Sequence, residues 1–520
     1  MPRLLLIAGL FLVGASFAQA EEVVNLPMRQ VAGDEDAYAI SLKEFVDMVA
    51  NSDELIRAQG LEERIAKQGV RGAEAVYEPF LNVTIEREGS HVLNSASEAV
   101  QRGVRPNDLY DSLESRGKVV LALKAPTGAS AELNYNLTQT VNSTQTLANT
   151  ASPEFKGYFG FNISQPLLRG AGVRATHSGI TIAKIELDVA RQTIRQVMAQ
   201  RVMEGLNSYI AVQRAMERVR LRRQALEVAT RIDAEVTMLF SEGLQPESEV
   251  TKARSSLALR RAQLSEAQED LEEQLKSLQA FVAVQERITD LPLTASRLIP
   301  ATRLATPDDT KSKDVMGRHD PILDDILDRR PEAKVNALRI DLEDHKAWTA
   351  RDQTLPELAL TVRAGRDNLT SQNKPFQYLE YDPTYHSWMF GAVFKMGIFG
   401  DEKKKGEFEA AKLRGEQARL TLEALRQRIA NEVNSSGFLL DKAVQRLARQ
   451  KEIVKAQKDL LGVTRKMHEE GNKSGLDVMK QELEVLLAEE AESESLAHAN
   501  RASYLYSQVE GTLLERLQLE

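Results

Sequence analysis

Two stretches of this 520-residue chain hold no proline, residues 175–240 and 402–469, and each carries apolar residues at helical spacing. Runs of that length are far beyond the ordinary globular helix, and at 1.5 Å per residue each extends about 100 Å. A chain with two such rods cannot fold into a compact ball. Both runs stop in the same way, the first at "SEGLQPESEVTK" (241–252) and the second at "EEGNKSGLDVMK" (469–480). Glu242-Gly243 matches Glu470-Gly471, Glu249-Val250 matches Asp477-Val478, and Lys252 matches Lys480. Gly170 and Gly400 precede the two rods at nearly equal distances from Gly243 and Gly471. Further back, "YEPFLNVTI" around Pro79 answers "TLPELALTV" around Pro356. Four landmarks in one order mean that the chain is written twice.

Each copy reads helix, strands, long helix, Glu-Gly turn, shorter helix. The first copy spans 41–284, a Pro- and Thr-rich linker occupies 285–320, and the second copy spans 321–520. Residues 41–77 with 244–283 match the length of the first rod, and 321–355 with 473–512 match the second. Two short helices placed end to end can therefore lie along each long one. In the second rod Leu440, Leu447, Val454 and Leu461 recur every seven residues, the spacing of supercoiled helices. Ile453, Leu460 and Met467 make a second column beside them, which predicts a helix gripped from two sides, as in a closed ring.

Between the helices, apolar and polar residues alternate. Leu81, Val83 and Ile85 alternate with Asn82, Thr84 and Glu86, and Phe159, Phe161 and Ile163 alternate with Gly160, Asn162 and Ser164. The second copy offers Leu358, Leu360 and Val362, then Trp388, Phe390, Ala392 and Phe394. Alternation marks a half-buried strand. Large aromatics on the apolar side, and lengths near the ~9–11 residues a membrane-crossing strand needs, point to lipid. At least two strands per copy, about four per chain, cannot close a barrel, because an open sheet edge would leave backbone groups unsatisfied in lipid, so several chains must share one barrel. Two further pieces within 117–140, "GKVVLALKA" and "AELNYNLTQ" joined at "PTGA", either add strands to that wall or form an external hairpin.

Arg3, the apolar run "LLLIAGLFLVGASFA" and Ala18-Gln19-Ala20 read as an export signal over residues 1–20, followed by an N-terminal extension over 21–40. There are no cysteines, so packing alone must hold an exported chain and no thiolate metal site or acylated N-terminal Cys is available. A net charge of -9 argues against nucleic acid as a partner. Charged residues make up 28% and aromatics 5%, a balance suited to long solvated helices. The seven histidines are scattered without HExxH or paired helical spacing, "RGAGVR" lacks the GK[ST] of a phosphate loop, and no serine sits in GxSxG. Catalytic, metal and cofactor sites are therefore not expected.

With these features the chain resembles the TolC-like outer-membrane channels, the outer membrane factors. The resemblance spans the mature chain and is carried by "SQPLLRGAG", "EEGNKSGLDV", "RRPE" and the duplication. It implies a mainly α mixed fold: long antiparallel helical hairpins forming a periplasmic α-barrel, plus a transmembrane β-barrel of twelve strands shared by a homotrimer. It further implies an exit duct for a tripartite efflux pump or for type I secretion, working with a periplasmic adaptor and an inner-membrane transporter. The competing reading is a periplasmic coiled-coil spacer, which would have no need of aromatic-sided strands.

Under the resemblance the Glu-Gly breaks are hairpin turns at the periplasmic tips, where Gly243 and Gly471 supply a backbone conformation costly for other residues. Asp477 takes the position of an aspartate that lines the closed entrance, and three copies would form an acidic ring. Its simpler role is to complement a helix start, which is the favoured reading for Glu249. Lys480 stands where some members carry a second acid and could pair with Asp477 at i, i+3. Lys473 takes the place of a basic residue that helps latch the tip. Segments 241–250 and 469–478, with Val250 and Val478, are the expected adaptor-docking surface.

Overall fold

The computed structural model describes residues 29–30, 37–143, 153–281, 297–302, 304, 306–307, 321–370, 385–398 and 401–519. The expected export signal, most of the extension and linker, and the landmark Gly400 lie outside these residues. The first copy opens with strands β1 (Arg29–Gln30) and β2 (Ala37–Ile40), then helices α1 (Leu42–Ser52) and α2 (Glu54–Glu74). Strand β3 (Phe80–Leu93), helix α3 (Ala96–Arg102) and strands β4 (Leu109–Lys124), β5 (Ser130–Asn142) and β6 (Glu154–Pro166) follow. The rod α4 (Gly172–Ser241) turns into α5 (Glu247–Ala280), and strand β7 (Arg297–Pro300) leads to the second copy. That copy comprises α6 (Pro321–Arg329), α7 (Pro331–Thr354), β8 (Glu357–Thr370), β9 (His386–Lys395), the rod α8 (Glu402–Glu469), α9 (Gly475–Val509) and α10 (Leu513–Arg516).

The rods are single helices of 70 and 68 residues. Near the sheet they form a four-helix layer in the order α2, α4, α7, α8, and below the waist the order is α5, α4, α9, α8. Two short helices thus flank each rod end to end, as the duplicated lengths require. The first heptad column, Leu440, Leu447, Val454 and Leu461, is buried against α9, while Ile453, Leu460 and Met467 are exposed on an uncovered flank.

Both short-helix pairs bend at the waist, and a charged pair pins each bend to a rod. Asp53 caps α2 through the Leu55 N–H and accepts 2.9 and 2.7 Å hydrogen bonds from Arg201 on α4. At the matching point of the second copy, Arg330 donates to Glu432 on α8 at 2.8 Å, with the charges exchanged. The main core lies here. Phe45, Met48 and Val49 of α1 meet Leu206, Tyr209 and Val212 of α4, with Leu278 of α5 and Leu513 of α10. Gly205 permits that approach, since a Cβ there would stand 3.2 Å from the Phe45 ring. The Tyr209 hydroxyl donates to the Ile40 carbonyl at 2.9 Å, tying the small β1-β2-β7 sheet to the rod.

Among the described residues the main sheet holds six strands in the order β3-β4-β5-β6-β8-β9, every neighbouring pair antiparallel. The sheet therefore holds two strands more than the about four expected per chain. The first copy contributes four strands and the second two. The pieces within 117–140 are interior strands of the sheet rather than an external hairpin. They join at a tight turn in which Gly128 adopts φ 89 and the Ala125 N–H donates to the Ala129 carbonyl at 2.7 Å. The signal was the "PTGA" turn between two alternating runs.

The sheet is two-faced. One face is apolar yet exposed, with Ile85 at 84% and Trp388 at 76% of full accessibility. The other carries Thr84, Lys118, Asn136, Tyr158 and Asp367 in register. On that polar face the Tyr158 ring lies over Gly160 and Gly365, and Arg363 donates to its hydroxyl at 3.0 Å. A Cβ on Gly365 would fall 2.6 Å from the Tyr158 oxygen. Gly365→Val should therefore displace the ring and lower the yield of folded, membrane-inserted protein severalfold. Adding Tyr158→Ala should restore most of it, as read from heat-dependent gel migration.

Candidate functional site at the two helical tips

The rods reverse at two turns of almost the same construction. After α4 ends, Gly243 takes φ 77, its N–H donates to the Phe240 carbonyl, and the Leu244 N–H reaches back to Leu239 at 2.9 Å. After α8 ends, Gly471 takes φ 78 and the Asn472 N–H donates to Met467 at 2.8 Å. Both satisfy the orphan carbonyls of a helix end, and both need the left-handed backbone that glycine adopts without strain.

The restarts differ. Pro246 precedes α5 and offers no side-chain cap, so Glu249 pairs instead with Lys252 at 2.7 Å. That hydrogen bond, with the charges of Lys252 and Lys480, holds the Glu249 carboxyl below its usual range. At the second tip Ser474 and Asp477 form a reciprocal capping box. The Ser474 hydroxyl accepts from the Asp477 N–H at 3.2 Å, and one Asp477 carboxylate oxygen accepts from the Ser474 N–H at 3.2 Å and from its hydroxyl at 3.0 Å. Hydrogen bonding from the Ser474 N–H leads in holding the Asp477 carboxyl below its usual range, with help from the hydroxyl, Lys473 and Lys480 and against partial desolvation. The i, i+3 pairing of Lys480 with Asp477 does not form among the described residues. Lys480 is exposed and close enough for its charge to act on Glu249 of the other tip as well.

The tips share one apolar knot. Val250 and Ala253 of α5, Val236 of α4 and Leu476 of α9 are buried together, with Ile232 against them. Val250 is thus turned inward, while Val478 is half-buried. Leu244, 67% exposed, stands at the first turn and Lys473 is exposed at the second.

Two functional side chains escaped the sequence reading. The His468 Nδ1 lies 2.9 Å from the Lys473 carbonyl and closes the second turn across its mouth. Glu482 of α9 accepts from Arg231 of α4 at 3.0 Å and from Arg465 of α8 at 2.8 Å, clasping both rods just above the tips. Both partners are distant in sequence or separated by a turn, so no local pattern announces them. Among the described residues no His, Cys, Asp or Glu group could hold a metal ion, and no helix is long and apolar enough to cross a membrane.

These rods, paired tips and two-faced sheet define a channel of the helical-conduit type. Residues 121–284 and 322–504 match the family described as Outer membrane efflux protein, and the chain belongs to that family. Its two matched segments fall one in each copy. Among solved structures it is similar to the Campylobacter jejuni CmeC outer membrane channel, with TM-score 0.58 and 14% identity over 91% of this chain and 86% of that one. It is also similar to the Vibrio cholerae outer membrane protein VceC, with TM-score 0.56 and 15% identity over 92% and 95%. A third is the open state of the Neisseria gonorrhoeae MtrE channel, with TM-score 0.54 and 16% identity over 91% and 89%. No curated protein matched the sequence. The chain is an outer membrane efflux protein with the fold of these channels.

Ser474→Ala should loosen the second tip by about 1 kcal/mol, seen as faster amide exchange at residues 472–479 with the waist unchanged. Because the Asp477 pKa is depressed on folding, its capping contribution is present above the unfolded carboxylate range and is lost as pH falls through the folded value. Tip amides should therefore gain exchange on acidification below about pH 4, and Asp477→Asn should flatten that dependence.

Proposed function

We propose that three copies of this chain close into one conduit that carries cargo from a periplasmic adaptor and an inner-membrane transporter across the outer membrane, gated at the helical tips. Residues 1–20 direct export. Transport through the conduit is passive, with no catalytic step and no cofactor.

The observation that carries this reading is the pair of uncovered flanks. On one side α8 exposes Ile453, Leu460 and Met467, and on the other α2 and α5 expose Leu61, Ile65 and Leu259. A four-helix layer with an apolar column along each side is completed by copies of itself in a ring. A two-stranded spacer would cover α8 and leave both the opposite flank and the exposed apolar sheet face without a role. Family membership favours small-molecule efflux over one-step secretion of polypeptides.

In the ring, Asp477 from each copy lies near the entrance with one carboxylate oxygen uncommitted, and Lys473 and Lys480 temper its charge. The Glu482 clasp keeps the tips in. Exposed parts of 241–250 and 469–478, above all Leu244, meet the adaptor. A photo-crosslinker at Leu244 in cells should capture a periplasmic adaptor of the efflux type. Capture of a secretion-type adaptor would transfer the cargo to polypeptides.

A buried leucine contributes about 1.5–3 kcal/mol, repeated at three interfaces. Leu460→Asp should therefore reduce the trimer more than tenfold by native mass measurement. Glu482→Gln, which frees two rods without touching the sheet, should raise single-channel conductance severalfold in planar bilayers. Unchanged conductance would remove Glu482 from the gate.

A further inference from the structure

We propose that the β4–β5 hairpin is part of the membrane wall, so that three chains close an eighteen-stranded barrel by pairing β9 of one copy with β3 of the next. The count rests on the trimer proposed above: six strands from each of three copies make eighteen.

The hairpin is built like the other wall strands. All six run 10 to 16 residues, enough to cross the apolar layer at a tilt. Strand β4 is hydrogen-bonded along both edges, to β3 from Leu109 to Ala122 and to β5 from Ser112 to Lys124. One apolar row crosses the whole sheet without a break: Leu81, Leu121, Leu133, Phe161, Ala364 and Trp388 are successive partners. The next row on the polar face, Asn82, Val120, Asn134, Gly160, Gly365 and Ser387, crosses with it. A hairpin outside the wall would have no reason to carry Leu121 and Leu133 in register with Phe161 and Trp388.

Its inner turn is also rooted in the helical body. The Gly172 N–H at the start of α4 donates to the Thr127 carbonyl at 2.9 Å, and Gln165 donates to the same carbonyl at 3.2 Å. Gly128 fits so closely that a Cβ would stand 2.5 Å from the Gly170 carbonyl oxygen. The β4–β5 connection is therefore a short turn on the helical side, the arrangement of membrane barrels.

Closure follows from direction. Strand β3 leaves the helical end directly after α2, and β9 returns to it before α8, so the two free edges are antiparallel. An inserted hairpin adds two strands and preserves that parity. With strands ~4.8 Å apart and tilted ~40°, eighteen give a barrel ~36 Å across, against ~24 Å for twelve. Twelve helices at ~8–10 Å spacing give a ring of about 31–38 Å, so the wide barrel continues the helical bore without a step.

Tryptophan quenching by brominated phosphatidylcholine tests the wall directly, because the only native tryptophans are Trp348 and Trp388. In full-length protein reconstituted in vesicles, Trp348→Phe leaves Trp388 as the lipid-facing reference. Adding Trp388→Phe and Leu133→Trp moves the probe to β5 in the same row. Quenching of the β5 probe to within about a third of the reference is expected. A quenched reference with an unquenched β5 probe, in particles whose native mass is three chains, would overturn the eighteen-stranded count and leave the conduit standing. A native mass other than three chains would overturn both. Unaltered protein in nanodiscs guards against variants that fail to fold: electron cryomicroscopy should resolve eighteen strands, and twelve would refute the inference.

Discussion

A sheet edge in hydrocarbon is the constraint on which this structure turns. Each unpaired N–H and C=O there costs several kcal/mol, and the six-stranded sheet has two such edges, at β3 and β9. Its apolar face admits no soluble alternative, since Ile85, Trp388 and Phe390 stand open on one side of a single layer. The chain taken alone is thus an arc with two unpaired edges, which the proposed ring of copies would satisfy. The helical layer repeats the logic with side chains in place of backbone groups, because an apolar column runs down each flank.

The two layers are joined by continuity of the chain. Strands β3, β6, β8 and β9 each pass directly or through a short bridge into α2, α4, α7 and α8. Sheet and helices therefore meet as one wall, and Arg169 binding Glu357 at 2.6 Å fastens the two copies at the junction. At the waist the short helices bend, and Asp53–Arg201 and Arg330–Glu432 hold those bends at matching heights. At the far end the two turns themselves are largely exposed. They depend on one apolar knot, one capping box and the Glu482 clasp, which makes them the place where a small free-energy change has a large geometric effect.

Much of this was legible in the residues. Proline-free runs marked the rods, the first sevenfold column identified the side of α8 buried within the chain while the second, read as a contact as well, is exposed there, and the two Glu-Gly turns fell where the helices reverse. The fold was readable because each signal is local and periodic. The strand count was only half legible: the two pieces within 117–140 were visible as alternating runs, but β4 and β5 have no counterpart among the described residues of the second copy, so comparison of the copies could not place them in the sheet. At the site, Gly243 and Gly471 were plain from turn chemistry. The burial of Val250 was not legible, because it depends on Leu476, a residue more than two hundred positions away that has Ser248 as its counterpart in the first copy. Glu482 was invisible for the same reason, since its role exists only once α4, α8 and α9 lie together, and the His468 contact with Lys473 exists only once the turn between α8 and α9 has closed.

Amide exchange along β3 and β9 in the bilayer-inserted protein measures the central claim most directly. Half the amides of each edge strand point away from β4 or β8, toward the open edge of the sheet. They should exchange as slowly as those of interior strand β6. Rapid exchange on those outward amides, with β6 protected, would mean that the edges are open and that no second copy completes the wall.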